Sequence, residues 1–129
     1  MSDWKTPLRL VEQLDKKGNI HEKGVKKLVS AVAEASELGD KLGCAEFIAF
    51  ATSAVRSAPN SEAVLDEVEK QTGVRLQILS GVEEAQLTFL AARRWYGWSA
   101  GRITNLDIGG GSLELSTGTD EHPDLAFSL

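Results

Sequence analysis

Alternating strand and helix signals along residues 7–97 predict an α/β fold with a partly parallel sheet. Apolar runs near 45–50 and 74–80 supply the strands, and the stretches between and after them carry helical periodicity. After residue 97 the pattern changes to consecutive short strands joined by turn residues. That change predicts a second structural unit beginning near Trp98–Gly101, with residues 1–98 in the first unit and 99–129 in the second. About 30 residues of hairpin rarely bury an independent core, so the second unit reads as the opening of something larger.

Each element has its own signal. "PLRLVEQLD" (7–15) alternates apolar and polar residues and predicts a strand, followed by a turn at "KKGN" (16–19). Val25, Leu28, Val29, Val32 and Ser36 fall at helical spacing, which predicts a helix from about His21 to Leu42, with Gly43 as its end. "AEFIAFATSAVR" (45–56) is apolar and then abruptly small and polar, and its first half reads as a buried parallel strand. "APNSEAVLDEVEKQTG" (58–73) predicts a helix with Asn60 as N-cap, Glu62 in the first turn and Gly73 past the end. "VRLQILS" (74–80) predicts a strand. A helix over 81–97 follows, with Val82, Ala85, Phe89, Ala92 and Tyr96 on one face. "RITNLDI" (102–108), "LELSTG" (113–118) and "DLAFSL" (124–129) predict the last strands.

Composition narrows the function classes. With 129 residues, 42% hydrophobic and 26% charged, the chain fits one ordinary globular domain. Nineteen acidic against fourteen basic side chains give a net charge of -5, which argues against a nucleic-acid surface. The single Cys44 excludes an internal disulfide and fits a reducing compartment. No apolar run is long enough to span a membrane, and "MSDWKTPLRL" lacks the pattern of a signal peptide, so the cytoplasm is the expected location.

The stretch "NLDIGGGSLELS" (105–116) concentrates the chemistry. Gly109, Gly110 and Gly111 permit positive φ in a strand-to-strand turn, which two glycines would already serve. Three glycines with Ser112 also leave bare N–H groups that can cradle an anion such as phosphate. From the residues alone, the plain turn and the anion loop stand about equal. Glu114 occupies the place of the third glycine of a dinucleotide fingerprint, and no Gly-Lys-Ser/Thr follows for a Walker loop. Asp107 either caps the loop or holds Mg²⁺ beside bound phosphate, and Glu114 either faces solvent or points into a cleft.

Ser80 and Glu83 form a capping box, which leaves Glu84 to be either a mere acid favoured by the helix dipole or a general base. In "FATSAVRSA" (50–58), Thr52 and Ser53 offer hydroxyls, and Arg56 is either a surface side chain or a fork for phosphate. His21 and His122 lack metal-ligand spacing, Arg93 and Arg94 suit a helix C-terminus, and Trp4, Trp95 and Trp98 read as packing residues.

"ATSAVRSAPN" (51–60), "ILSGVEEAQLTFLA" (78–91) and "LDIGGGSLEL" (106–115), in this order, resemble the exopolyphosphatase / guanosine pentaphosphate phosphohydrolase (Ppx/GppA) family over about residues 7–129. The resemblance implies a ribonuclease H-like lobe of the actin / Hsp70 / sugar kinase type, with the opening strands of a second lobe. It implies hydrolysis of terminal phosphate from inorganic polyphosphate or guanosine pentaphosphate, with Mg²⁺. By the same resemblance Glu84 is the catalytic base, and Arg56 is a phosphate ligand. Asp107, Gly109, Gly110, Gly111 and Ser112 form the second phosphate loop, with Asp107 and Glu114 at the metal. Leu113 stands where the family usually has threonine. The family's first phosphate loop, "D-x-G-S-N-S/T", has no counterpart here, so the sequence is expected to be a fragment. A homodimer formed through exposed strands is a further expectation. The rival readings are an ATP-dependent kinase or ATPase of the same superfamily, a non-catalytic polyphosphate or guanosine tetraphosphate binding module, and a truncated chain with no function of its own.

Overall fold

The computed structural model describes residues 4–129. Residues 1–3, which open the first expected unit and the N-terminal stretch judged against a signal peptide, lie outside them. Two compact units result, Met1–Ile78 and Leu79–Leu129. The helix expected to close the first unit therefore clusters with the antiparallel strands that follow it.

In the first unit, helix α1 (Glu22–Lys41) begins after His21 and ends at Leu42. Its buried side is Gly24, Leu28, Ala31 and Val32, with Val25 and Val29 partly buried against the same core. Strand β1 (Phe50–Ala51) runs parallel to β2 (Gln77–Ile78) in the register Phe50↔Gln77 and Ala51↔Ile78. Helix α2 (Ser53–Arg56) is a single turn, and α3 (Ser61–Thr72) buries Val64, Leu65 and Val68. Gly73 and Gly43 follow α3 and α1 with φ of 72° and 69°, the left-handed geometry that ends a helix without a Cβ clash. Val55, Val64, Val68, Leu28 and Leu76 lie together in the core.

Three expectations change here. Residues 7–15 do not form a strand. Leu10–Gln13 is a 3-10 turn entered through Arg9 at φ 50°, and only Leu14 bridges, to Ile20. Leu8, Leu10 and Leu14 still reach the core, so the alternation is met by packing rather than by a ladder. Of the run 45–50 only Phe50 joins the parallel strand, and the run is not buried: Phe47, Ile48 and Phe50 are exposed, and Ala51 is the residue that enters the core. Asn60 stands at the N-cap position of α3 without a side-chain cap bond. Its amide instead accepts from Ile20 N–H at 2.9 Å and donates to the Ile20 carbonyl at 3.0 Å.

In the second unit, α4 (Gly81–Tyr96) starts on the expected capping box. Ser80 N–H donates to Glu83 Oε2 at 2.8 Å, and Glu83 N–H donates to Ser80 Oγ at 3.2 Å. Strands β3 (Ile103–Ile108), β4 (Leu113–Gly118) and β5 (Leu125–Ser128) form an antiparallel sheet in the order β3-β4-β5. Pairing of Asn105 with Ser116 and Asp107 with Glu114 puts these four side chains on one face. Gly118, Ala126 and Ser128 share that face, because Ile103 pairs with Gly118, Ser116 with Ala126 and Glu114 with Ser128. Leu106, Ile108, Leu113, Leu115, Leu125 and Phe127 lie on the other face, where Leu106 is 53% and Ile108 72% exposed.

Helix α4 packs on the first, more polar face. Asn105 Nδ2 donates to Thr88 Oγ1 at 3.2 Å, and Phe89 lies over Gly118. The helix buries Ala85, Phe89 and Arg93, whereas Val82 and Tyr96, expected on the buried side, are exposed. Arg93 was expected only to favour a helix end, yet it is 0% exposed. Trp95, expected to pack, is 84% exposed.

Candidate functional site

The glycine loop is the four-residue connection between Ile108 and Leu113, which pair as the last rung of the hairpin. Gly109 N–H donates to the Ser112 carbonyl at 3.0 Å and closes the turn. None of Gly109, Gly110 and Gly111 has positive φ, so left-handed backbone is not why glycine stands there. A Cβ at Gly109 would meet Ser112 O at 3.5 Å and Ser112 Oγ at 3.6 Å, which is ordinary contact. The turn at Gly109 therefore requires glycine neither for conformation nor for space. All three glycines are exposed. Among the described residues, the N–H groups of Gly110, Gly111 and Ser112 have no protein acceptor. Bare amides without a side chain above them are what an approaching anion requires.

Asp107 and Glu114 flank this loop as a directly paired, same-face couple. Like charges directly opposite destabilise a sheet unless something offsets them. Glu114 is only 1% exposed. Its Oε1 accepts from Ser128 Oγ at 2.8 Å. Among the described residues no cation stands in a salt bridge with either carboxylate. Ser116 is 0% exposed, and the hydroxyl oxygens of Ser116 and Ser112 are buried without a partner.

Among the described residues no group of three or more His, Cys, Asp or Glu is placed to hold a metal ion. Two carboxylates beside a glycine loop with bare amides are nonetheless a donor set that suits Mg²⁺, which keeps its waters and shares its coordination with phosphate oxygens. Asp107 and Glu114 fit that group.

Glu84 lies in the first turn of α4 and is half-buried. The turn that carries it is held to the sheet, because Thr88 Oγ1 donates to the Glu84 carbonyl at 3.0 Å while accepting from Asn105 Nδ2. Glu84, Asp107, the loop Gly109–Ser112 and Glu114 thus all belong to the second unit. Arg56, the last residue of α2, is half-buried and belongs to the first.

Sequence reasoning missed Thr88, Asn105 and Ser128. Each acts through cross-strand register or a helix–sheet contact, and a period-2 or period-3.6 pattern encodes neither.

A parallel β1–β2 pair with flanking helices and an antiparallel β3-β4-β5 sheet carrying α4 make the mixed α/β architecture of an actin-like fold. The chain matches the Ppx/GppA phosphatase family over residues 1–129. It belongs to that family. Exopolyphosphatase 1 of Mycobacterium leprae and of Mycobacterium tuberculosis are each 60% identical over 129 residues, 100% of this chain and 38% of theirs. The chain therefore spans about two fifths of the length of these relatives. The crystal structure of an exopolyphosphatase from Cytophaga hutchinsonii superposes with a TM-score of 0.91 at 25% identity, covering 100% of this chain and 41% of that one. The Aquifex aeolicus family member shares the fold with a TM-score of 0.80 at 24% identity, over 95% of this chain and 40% of that one.

Proposed function

We propose that this chain carries the catalytic base and the second phosphate loop of a phosphoanhydride hydrolase that releases terminal phosphate from inorganic polyphosphate. The observation behind this reading is the exposed glycine loop, whose amides at Gly110, Gly111 and Ser112 have no protein acceptor. That relatives are named exopolyphosphatase supports polyphosphate as the first substrate of the reading, with guanosine pentaphosphate as the second. In this reading the loop amides hold the terminal phosphoryl group, and Arg56 of the first unit is a further phosphate ligand. Glu84 orients a water and takes its proton as the water oxygen bonds to phosphorus. The bridging P–O bond breaks, and the shortened chain leaves with the bridging oxygen. Asp107 and Glu114 would hold Mg²⁺, which when bound offsets charge on the phosphoryl oxygens. The division into a first lobe ending near residue 98 and a second opening at 99 belongs to the same proposal, as does a cytoplasmic location. Among the described residues no helix is long and apolar enough to cross a membrane.

The test is Mg²⁺-dependent phosphate release from long polyphosphate by this chain beside its Glu84→Gln variant. The variant is expected to lose a factor of about 10²–10⁴ in rate while still binding polyphosphate. Turnover unchanged in the variant removes Glu84 from the role. The same amides at Gly110, Gly111 and Ser112, which have no protein acceptor, would also serve a second reading, a binding module for polyphosphate or guanosine tetraphosphate. Binding without release from either protein supports that reading.

A further inference from the structure

We infer that Ser128 is a positioning residue for the metal carboxylate, fixing Glu114 so that its second oxygen is left for a divalent cation shared with Asp107; this rests on the metal assignment of the proposed function. Ser128 Oγ–H donates to Glu114 Oε1 at 2.8 Å. That bond takes up one oxygen of a side chain that is 1% exposed and restricts its rotation. Ser128 pairs with Glu114 in the sheet, so the two side chains leave the same face side by side. Asp107 pairs with Glu114 from the opposite side, and β4 therefore carries the glutamate between a hydroxyl donor on β5 and a carboxylate on β3.

The position of Ser128 is itself secured. Leu129 N–H donates to the Leu113 carbonyl at 2.9 Å, and Leu113 N–H donates to the Leu129 carbonyl at 3.1 Å. This closed pair holds β5 against the first residue after the glycine loop. Partners that hydrogen-bond a metal-binding carboxylate set its orientation, and losing one typically costs 10–100-fold in metal affinity. Across the described residues, neither Asp107 nor Glu114 stands in a salt bridge. A hydroxyl donor lowers the repulsion without occupying the site, which a lysine or arginine would do.

The test is a Mg²⁺ titration of the 129-residue chain, with no phosphate present, followed by the amide NMR shifts of Leu113, Glu114, Leu115 and Ser116. Ser128→Ala is expected to weaken binding about tenfold. Ser128→Thr, which keeps the hydroxyl, is expected to stay close to the parent chain. Equal affinity in Ser128→Ala, with Glu114→Gln losing the response, overturns the positioning role and leaves the metal pair standing. Equal weakening in Ser128→Ala and Ser128→Thr marks a packing role only and also overturns it. No response in the parent chain, or an undiminished one in Glu114→Gln, removes the metal assignment and the role of Ser128 together.

Discussion

The guanidinium of Arg93 donates from Nη2 to the carbonyl of Gly118 at 2.8 Å, joining the last turn of α4 to the end of β4. The same nitrogen reaches the Gly101 carbonyl at 2.7 Å, and Nη1 reaches the Gly97 carbonyl at 3.2 Å. Its plane also lies over the Phe89 ring, 5.7 Å from the centroid. A buried cation held by three carbonyls ties together the helix end, the turn after it and the hairpin. Arg93→Leu removes every donor at once and leaves those carbonyls to a poorer environment. We expect a loss of about 3 kcal/mol in stability by urea unfolding. Arg93→Lys is expected to recover part of it, because an ammonium cannot span the fork. An unchanged midpoint in Arg93→Leu would show that the clamp contributes nothing.

Gly118 and Gly109 are expected to respond in opposite ways to alanine. At Gly118 a Cβ would meet Pro123 Cα at 2.9 Å and Asp124 N at 3.0 Å, both backbone atoms, and Phe89 Cζ at 3.2 Å. Gly118→Ala should cost about 1–3 kcal/mol through overpacking. Gly109→Ala meets only ordinary contacts and should unfold within about 0.5 kcal/mol of the parent. Its effect is expected instead in weaker tripolyphosphate binding, measured by calorimetry. A Gly109→Ala chain that binds like the parent argues for a plain turn.

Asn60 closes a two-bond clasp on the Ile20 backbone across 40 residues of sequence. Asn60→Ala leaves the N–H and the carbonyl of Ile20 without their partner and should cost about 2 kcal/mol. Asn60→Asp keeps an acceptor for the N–H but sets a carboxylate against the Ile20 carbonyl, so it should not restore stability. Thermal unfolding of the three proteins decides this.

Acid is expected to loosen the helix turn that carries Glu84. The Ser80 backbone N–H, and after it the Ser80 side chain, hold the Glu83 carboxyl below its ordinary value of 4.5. A lowered folded-state pKa means that the capping bond contributes fully above about pH 4.5 and is lost as pH falls through the lower folded value. The Ser80 amide proton shift, followed from about pH 6 to about pH 3, should move upfield in one titration step. Glu83→Gln should abolish the step. A step that persists in Glu83→Gln assigns it to another carboxyl.

Local signals made part of this legible. The span of α1 between His21 and Gly43, the box of Ser80 and Glu83 and the three strands after residue 102 follow from short-range periodicity and capping chemistry. Residues 7–15 misled because leucines two apart serve a packed 3-10 turn as well as a strand. Arg93 was illegible for a different reason. Its Gly118 partner lies 25 residues away, and a cation near a helix end has a sufficient local explanation. In the loop the glycines were visible, but that none of them takes a positive φ was not. The pairing of Asp107 with Glu114 required the hairpin register as well as the spacing.

The sheet of the second unit is inside-out with respect to its own helix. Leu106, Leu113, Leu115 and Phe127 turn away from α4, while Glu114, Ser116 and Asn105 turn toward it. Because strand side chains alternate, sliding β4 by one residue would bring its leucines under the helix and expel the glutamate. Burial of apolar surface alone would reward that slip. Such a slip would break two hydrogen bonds: Arg93 to Gly118 and Ser128 to Glu114. The hairpin therefore keeps frame by hydrogen bonding, much as a zip is kept true by its end stops, and loosening either bond threatens the reading frame of the whole loop.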